Sequence, residues 1–454
     1  MEEYIKKLLE QVRFRQAHDG IEKELKAHME DQIADYMADG MDRNSAEKAA
    51  VADMGDPVEV GISMDRIHRP KIAWSVVVIA VLIGIASIIL HALIVQDAAV
   101  TNNATSILGS PHFYTNVVIG LISMFIIYLL DYTVLAKYSK ILALAMLMIV
   151  VLGTMGFFLY GAGGHLHIGP FSILTSTFTF FYIPLFGAIL YKYRGGGFAS
   201  LLRALLWMVI PVMLAIGWSS LTTAIMITFT MILQLSVAIA KGWFKVPKIP
   251  VIIISWVLIT VAPIGFFAFA YTHGLMAEYQ MMRIRAIFHS DGDAAYVINN
   301  VRSLLREVYL FSGTGKNVFD VLPNPNSDYL FVYLINKYGL VVAFLPVIAA
   351  ASLIITGFIA SARCKNQLGL VMGVGCMNVL LINMLVNCFS NMGFIPYMSS
   401  FLPFFSAGGN NVILGYIFLG IILSIYKYKE AYPQHVDVKV RGKIKLGKIE
   451  IIKN

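Results

Sequence analysis

Ten apolar runs, each about as long as a membrane is thick, constrain this chain more than any other feature. They occupy about residues 72–95, 113–135, 140–160, 172–191, 201–217, 221–240, 249–272, 328–357, 368–390 and 409–426, against the roughly 20 residues that carry a helix across a hydrocarbon core. In such a core every backbone polar group must be satisfied within the chain, which leaves helices for runs of this length. The predicted fold class is therefore all-α: a polytopic membrane protein of about ten transmembrane helices. Composition agrees, with 58% hydrophobic and 14% charged residues, where soluble domains have roughly 45–50% apolar and 25% charged.

Lys and Arg orient the runs, because short cytoplasmic loops carry the excess of positive charge. Arg66, Arg69 and Lys71 precede the first run. Lys137 and Lys140, then Lys192, Arg194 and Arg203, then Lys241, Lys245 and Lys248, then Arg363 and Lys365 follow every second one. The intervening stretches 96–112, 161–171, 218–220 and 391–408 contain neither residue. Both termini are thus expected in the cytoplasm, and the long loop 273–327 outside it. A loop of that length between two spans usually marks function.

The first seventy residues carry a net charge of −6 and the remainder +14. Residues 1–70 are therefore expected to form a separate small cytoplasmic helical bundle. Apolar positions recur at helical spacing over 3–17 and 19–38, Asn44 and Glu47 have the spacing of a capping box, and Gly55 precedes Asp56-Pro57. The charged start "MEEYIKKLLEQVRF" excludes a cleavable signal peptide, so insertion begins at the first apolar run. At the other end, 428–454 is a basic cytoplasmic tail, and "VDVKVRGKIKL" within it alternates with period two. Cys364, Cys376 and Cys388 have no metal-type spacing and read as small core residues.

Chemistry is expected on the external side. The stretch "LPNPNSDYLFVYL" sets a lone acid, Asp328, between a proline-rich loop and the eighth run. Asn326, Ser327 and Asp328 are residues that a helix N-terminus favours as caps, so a capping role competes with a catalytic one. Lys337 stands about nine residues into the same run with no partner evident in the sequence, which places it on the external cavity. No Walker loop, nucleophile elbow or metal-ligand pattern occurs.

Four external or near-external motifs, in order, resemble those of the SEDS family, the FtsW/RodA/SpoVE proteins. Gly313, Gly315, Pro323, Ser327, Asp328, Tyr329 and Phe331 match its G-x-G…P-x-x-x-T-D-F-I-F pattern. Gly393, Pro396, Leu402, Pro403, Phe404, Ser406, Gly408 and Gly409 match its late Leu-Pro-Phe signature, with Asn410 in place of a serine. The segment "IGPFSILTST" is similar to an early family motif, and "YQMMRIRAIF" supplies Gln280, Arg283, Ile284 and a displaced Phe288. The first seventy residues resemble a permease prefix domain (HAAS-type), which implies a docking or regulatory module.

The SEDS resemblance implies a membrane domain over 71–427 and a peptidoglycan glycosyltransferase that polymerises lipid II at the outer membrane face in cell division, elongation or sporulation. It implies Asp328 as catalytic base, and Arg283, helped by Lys316 or Arg285, as holder of the donor pyrophosphate. Ser327, Pro403, Ser406, Gly408 and Gly409 would line the substrate site. The implied partners are lipid II, a class B penicillin-binding protein and the membrane; nucleic acid is not among them. No cofactor is assigned, and a divalent cation is left open. The sequence departs from the family where Ile335, Asn336 and Lys337 replace a Gly-Glu-Glu stretch, where Thr175, Ser176 and Thr177 replace an early acid, and where "WSSLTTA" lacks an aspartate. These losses keep a second class in play, a non-catalytic lipid II-binding or division-regulatory protein. A lipid-linked precursor flippase is a third, disfavoured by the scarcity of ionisable pairs at membrane depth.

Overall fold

Four helices open the chain in the computed structural model, which describes residues 1–100, 110–160, 165–168, 171–219, 221–274, 293–395 and 397–436. These are α1 (Glu2–Gln11), α2 (His18–Ala38), α3 (Arg43–Asp53) and α4 (Pro57–His68). They share a core of Ile5, Leu8, Ile21, Leu25 and Met29. The helix expected over 3–17 is interrupted: Val12 is extended, and a 3-10 turn at Arg15–Ala17 leads into α2. The break carries Arg13 to the buried Asp65 of α4. Its guanidinium meets that carboxylate at 2.6 and 3.1 Å and its backbone N–H donates at 3.0 Å. The expected capping box also moves. Asp42, not Asn44, caps α3 by accepting the Ser45 N–H at 3.2 Å, and Glu47 takes the N-terminal ammonium at 2.9 Å instead.

The apolar runs follow as α5 (Trp74–Val100), α6 (Ser110–Leu129), α7 (Tyr132–Lys137) and α8 (Ser139–Tyr160). A short antiparallel hairpin, β1 (His165–Ile168) with β2 (Phe171–Leu174), then leads to α9 (Thr175–Thr179) and α10 (Tyr182–Lys192). Next come α11 (Phe198–Leu214), α12 (Leu221–Ala240), α13 (Lys248–Thr272) and α14 (Asp293–Leu304). The last are α15 (Leu330–Tyr338), α16 (Leu340–Ala362), α17 (Gln367–Asn391) and α18 (Gly409–Lys427). Among the described residues seven helices are long and apolar enough to cross a membrane, and three shorter apolar ones lie at Ser139–Gly153, Thr177–Lys192 and Lys248–Val261. The architecture is that of an all-α, multi-pass membrane protein.

Two runs differ from the expectation. The fourth begins in the hairpin and α9 before α10 takes over. The eighth, 328–357, is broken at Gly339, which lies at φ 88° and whose Cβ, if present, would stand 2.8 Å from the Ser312 nitrogen. Only glycine fits a left-handed residue under that approach. The short α15 is thereby separated from the spanning α16. Lys337, expected without a partner deep in a span, instead ends α15 and forms an ion pair with Asp97 of α5.

Helices α17 and α18 form the packed centre, with Tyr416, Phe418, Leu419, Leu368 and Cys376 all fully buried. Cys364 is also buried, whereas Cys388, expected with them in the core, is only half-buried. Within lipid, helices gain little from apolar contact alone, so polar cross-ties matter. Gln234 Nε2 donates to the Ile183 and Val371 carbonyls at 3.2 and 3.0 Å, and Asn378 Nδ2 donates to Thr230 Oγ1 at 3.0 Å.

Basic residues gather at one end of the bundle. Lys192 Nζ donates to the Lys137 carbonyl at 2.8 Å, the Lys71 N–H to the Lys427 carbonyl at 3.3 Å, and Lys365 pairs with Glu430 at 2.9 Å. Residues 428–436 run across this end: Asn366 Nδ2 donates to the Pro433 carbonyl and the Gln367 N–H to that of Gln434. The remainder of the predicted tail lies outside the described residues. From Gln367, the 25 residues of α17 rise roughly 37 Å at 1.5 Å each. They end at Asn391, against Asp328. The candidate base thus sits at the opposite end from the basic loops.

Candidate functional site

The segment carrying Asp328 has no regular structure of its own. Asn324 between its two prolines adopts φ 48°, a left-handed conformation that asparagine tolerates better than most residues, and the chain turns there. The segment is fixed from outside through three successive carbonyls. That of Asn326 accepts the Ala407 N–H at 3.0 Å, and that of Ser327 accepts the Ser406 hydroxyl at 2.9 Å. That of Asp328 accepts two side-chain amides from α17, Asn387 Nδ2 at 3.1 Å and Asn391 Nδ2 at 2.9 Å.

The capping alternative for Asp328 can now be decided. Tyr329 occupies the N-cap position of α15 and no side chain at that position bonds to the helix. The first-turn N–H of Val332 donates instead to Asn391 Oδ1, at 3.2 Å. With that donor served from α17, the Asp328 carboxylate faces the other way: its Oδ2 accepts the Tyr397 hydroxyl at 2.8 Å. The Tyr397 ring stacks on Tyr329 at 5.6 Å between centroids.

Asp328 is half-buried. Burial pushes its carboxyl above the ordinary range, because a charge leaves water at a cost, while the Tyr397 hydrogen bond pulls in the opposite direction. The Tyr397 phenol is raised by its own burial and then by the neighbouring carboxylate, so it remains a donor at neutral pH. A carboxylate of raised basicity, with one oxygen held by a neutral donor and the other without a hydrogen bond among the described residues, is suited to accept a proton from an attacking hydroxyl.

Most of the other expected site residues come together around this segment. Ser406 accepts the Leu402 N–H at 2.8 Å while donating to Ser327, so its hydroxyl is engaged as a brace. Gly408 stands where a Cβ would meet Asn411 Nδ2 at 2.5 Å and Ser327 Oγ at 3.5 Å. Pro403 is buried in the turn that this bracing closes, and Gly409 begins α18. The turn is supported from α5 by His91, whose Nε2 donates to the Phe405 carbonyl at 2.7 Å. Lys316, by contrast, pairs with Glu307 at 3.3 Å rather than with Asp328. Arg283, with Gln280, Ile284, Arg285 and Phe288, lies outside the described residues, as does Pro396. The described residues gather no group of three or more His, Cys, Asp or Glu side chains that could hold a metal ion.

The far end of α15 is anchored as firmly as its start. Gly313 packs so closely on the Asn336 and Lys337 carbonyls that a Cβ there would collide with backbone. Thr314 donates to the Asn336 carbonyl at 2.9 Å and, through its hydroxyl, to Asn336 Oδ1 at 2.8 Å. The Tyr333 hydroxyl donates to Asp97 Oδ2 at 3.0 Å, beside the Lys337 ion pair. Asn336 and Lys337 are therefore both partnered polar groups.

The family model described as "Cell cycle protein", for FtsW, RodA and SpoVE, matches residues 71–431. This chain belongs to that family. It is 28% identical over 193 residues to peptidoglycan glycosyltransferase MrdB of Escherichia coli (strain K12), across 40% of this chain and 52% of that protein. It is 24% identical to stage V sporulation protein E of Bacillus subtilis (strain 168), across 68% of this chain and 84% of the relative. The chain thus spans about half the length of MrdB and most of the sporulation protein. Its fold is similar to a chain from "Structural coordination of polymerization and crosslinking by a peptidoglycan synthase complex", with a TM-score of 0.61 and 17% identity over 78% of this chain and 98% of that one. It is also similar to the Thermus thermophilus rod shape determining protein RodA, with a TM-score of 0.53 and 18% identity over 79% and 98%.

Four residues of the site escaped the sequence reading: Tyr397, Asn387, Asn391 and Asp97. One signal was present for two of them. Asn383, Asn387 and Asn391 recur every fourth position along an apolar run, which sets them on one face of a helix where only apolar side chains are expected.

Proposed function

We propose that this chain is a peptidoglycan glycosyltransferase that polymerises lipid II at the outer face of the cytoplasmic membrane, in cell division, elongation or sporulation. One observation carries the reading. The Asp328 carboxylate is half-buried, is freed from helix capping, and is held by Tyr397 at the end of the bundle away from the basic loops. The name of the MrdB relative supports it.

In the proposed reaction Asp328 takes the proton from a sugar hydroxyl of one chain as that oxygen attacks the anomeric carbon of the lipid-linked donor. A new glycosidic C–O bond forms, the bond from the anomeric carbon to pyrophosphate breaks, and the polyprenyl pyrophosphate leaves. Arg283 of the external loop would hold that pyrophosphate as a bidentate cation. Both termini are cytoplasmic on this reading, residues 1–70 are a permease-prefix-like module, and residues 71–427 form the membrane domain. The partner is a class B penicillin-binding protein, a choice supported by the similarity to a chain of a peptidoglycan synthase complex.

A second reading, binding of lipid II without turnover, draws support from the replacement of the family's acids by Asn336 and Lys337. Incubation of purified protein with labelled lipid II, with and without a class B partner, separates the two. Glycan chains establish the polymerase; retention of lipid II with no chains establishes the binder.

A further inference from the structure

We infer that Asn391, assisted by Asn387, is a positioning residue that keeps Asp328 available as a base by doing the helix-capping work Asp328 would otherwise do. This rests on the polymerase reading and adds to it the device that presents the carboxylate.

Asn391 is 1% exposed and uses both ends of its amide on the same loop-to-helix junction. Its Nδ2 donates to the Asp328 carbonyl at 2.9 Å and also to the Asn387 carbonyl one turn back at 2.8 Å, while its Oδ1 accepts the Val332 N–H at 3.2 Å. Asn387, also 1% exposed, donates to the Asp328 carbonyl at 3.1 Å and to the Ser400 carbonyl at 3.2 Å. A helix start leaves N–H groups unsatisfied, and an aspartate just before one ordinarily turns its carboxylate onto them. Here a buried amide from another helix occupies the Val332 donor and pins the Asp328 carbonyl from behind, so the side chain projects toward Tyr397. Asparagine is the side chain that can do this, because it offers a donor and an acceptor on one short rigid plane. Leucine or alanine could not, and aspartate at neutral pH would offer only acceptors.

The two roles of Asn391 predict opposite effects of two substitutions. In Asn391→Ala the Val332 N–H loses its partner and the Asp328 carbonyl keeps only Asn387. The Asp328 carboxylate then turns onto the first turn of α15, where backbone N–H groups favour its charged form, so kcat falls about tenfold or more and the acidic limb of the pH–rate profile moves to lower pH. Asn391→Asp keeps the acceptor for Val332 but adds a negative charge next to Asp328, which moves the acidic limb to higher pH.

The test is the pH–rate profile of lipid II polymerisation by the full chain with its class B partner, for the wild type and both variants, alongside thermal unfolding. Displacement of the limb in opposite directions, with KM changed less than kcat, is expected. A purely structural role would lower the active fraction of Asn391→Ala and leave its limb where it is, and that result overturns the inference while leaving the polymerase intact. Should Asn391→Ala fail to fold, Asn391→Leu, which fills the space but offers neither donor nor acceptor, carries the test through the same shift to lower pH. A wild type that retains lipid II but makes no glycan overturns the polymerase reading, and this inference with it.

Discussion

The Tyr397 hydroxyl donates to Asp328 Oδ2 at 2.8 Å from a loop nearly seventy residues further along the chain. Among the described residues it is the one contact that favours the charged form of a carboxyl that burial otherwise pushes up. Tyr397→Phe removes it, so the Asp328 carboxyl rises further. A base acts only when ionised; the acidic limb of the pH–rate profile therefore moves to higher pH, and the difference from wild type disappears in alkaline solution. A hydrogen bond to a charged group contributes about 1.5–3 kcal/mol when shielded. This one is open to solvent, so a fall of roughly three- to tenfold in rate at neutral pH is expected. Rates measured from acid to alkaline pH check it, and a limb that stays put or moves to lower pH contradicts it.

The Lys337–Asp97 ion pair ties the last turn of α15 to α5. Lys337→Met and Asp97→Asn should each lower the thermal unfolding temperature, and the double variant should lose less than the sum. The lysine is partly exposed, so a coupling of about 0.5–1 kcal/mol is expected. A double-mutant cycle measures it, and full additivity would show that the pair contributes nothing.

Gly313 permits a loop to lie directly on the carbonyls of Asn336 and Lys337. A methyl group at this position must displace either that loop or α15, so Gly313→Ala should cost about 1–3 kcal/mol. It should also reduce polymerisation, because α15 carries Asp328 at its other end. Gly315→Ala, at φ +70° but with open space around its Cβ, serves as the comparison: its cost is backbone strain alone, and α15 should not move.

Much of the fold was legible because the membrane imposes a coarse rule. Apolar runs and the spacing of Lys and Arg were enough to place the basic loops at one end and Asp328 at the other. What the runs could not reveal was a break inside one of them. Residues 328–357 read as continuous because Gly339 is apolar by composition, and its consequence depends on a left-handed conformation set by Ser312 packing on it. Within the site, Ser327, Ser406 and Gly408 were legible from local motifs, since each meets neighbours in the same two segments, and Asp328 was legible as a lone acid before an apolar run. The asparagines of α17 and Asp97 were harder to find, because their partners lie 59 to 240 positions away in sequence. Helical periodicity records which face a residue occupies, not what meets that face. The capping box at Asn44 failed for a related reason: two residues upstream, Asp42 offered a better acceptor, and spacing alone does not rank the two.

The most direct measurement compares wild type with Asp328→Asn, which keeps the size of the side chain and removes its basicity, in polymerisation of labelled lipid II beside the class B partner. Loss of a positioned general base costs about 10²–10⁴ in rate. We expect wild type to produce glycan chains, and the variant to bind lipid II with little change while polymerising at least about a hundredfold more slowly. Polymerisation by the variant at the wild-type rate would contradict the assignment of Asp328 as the base.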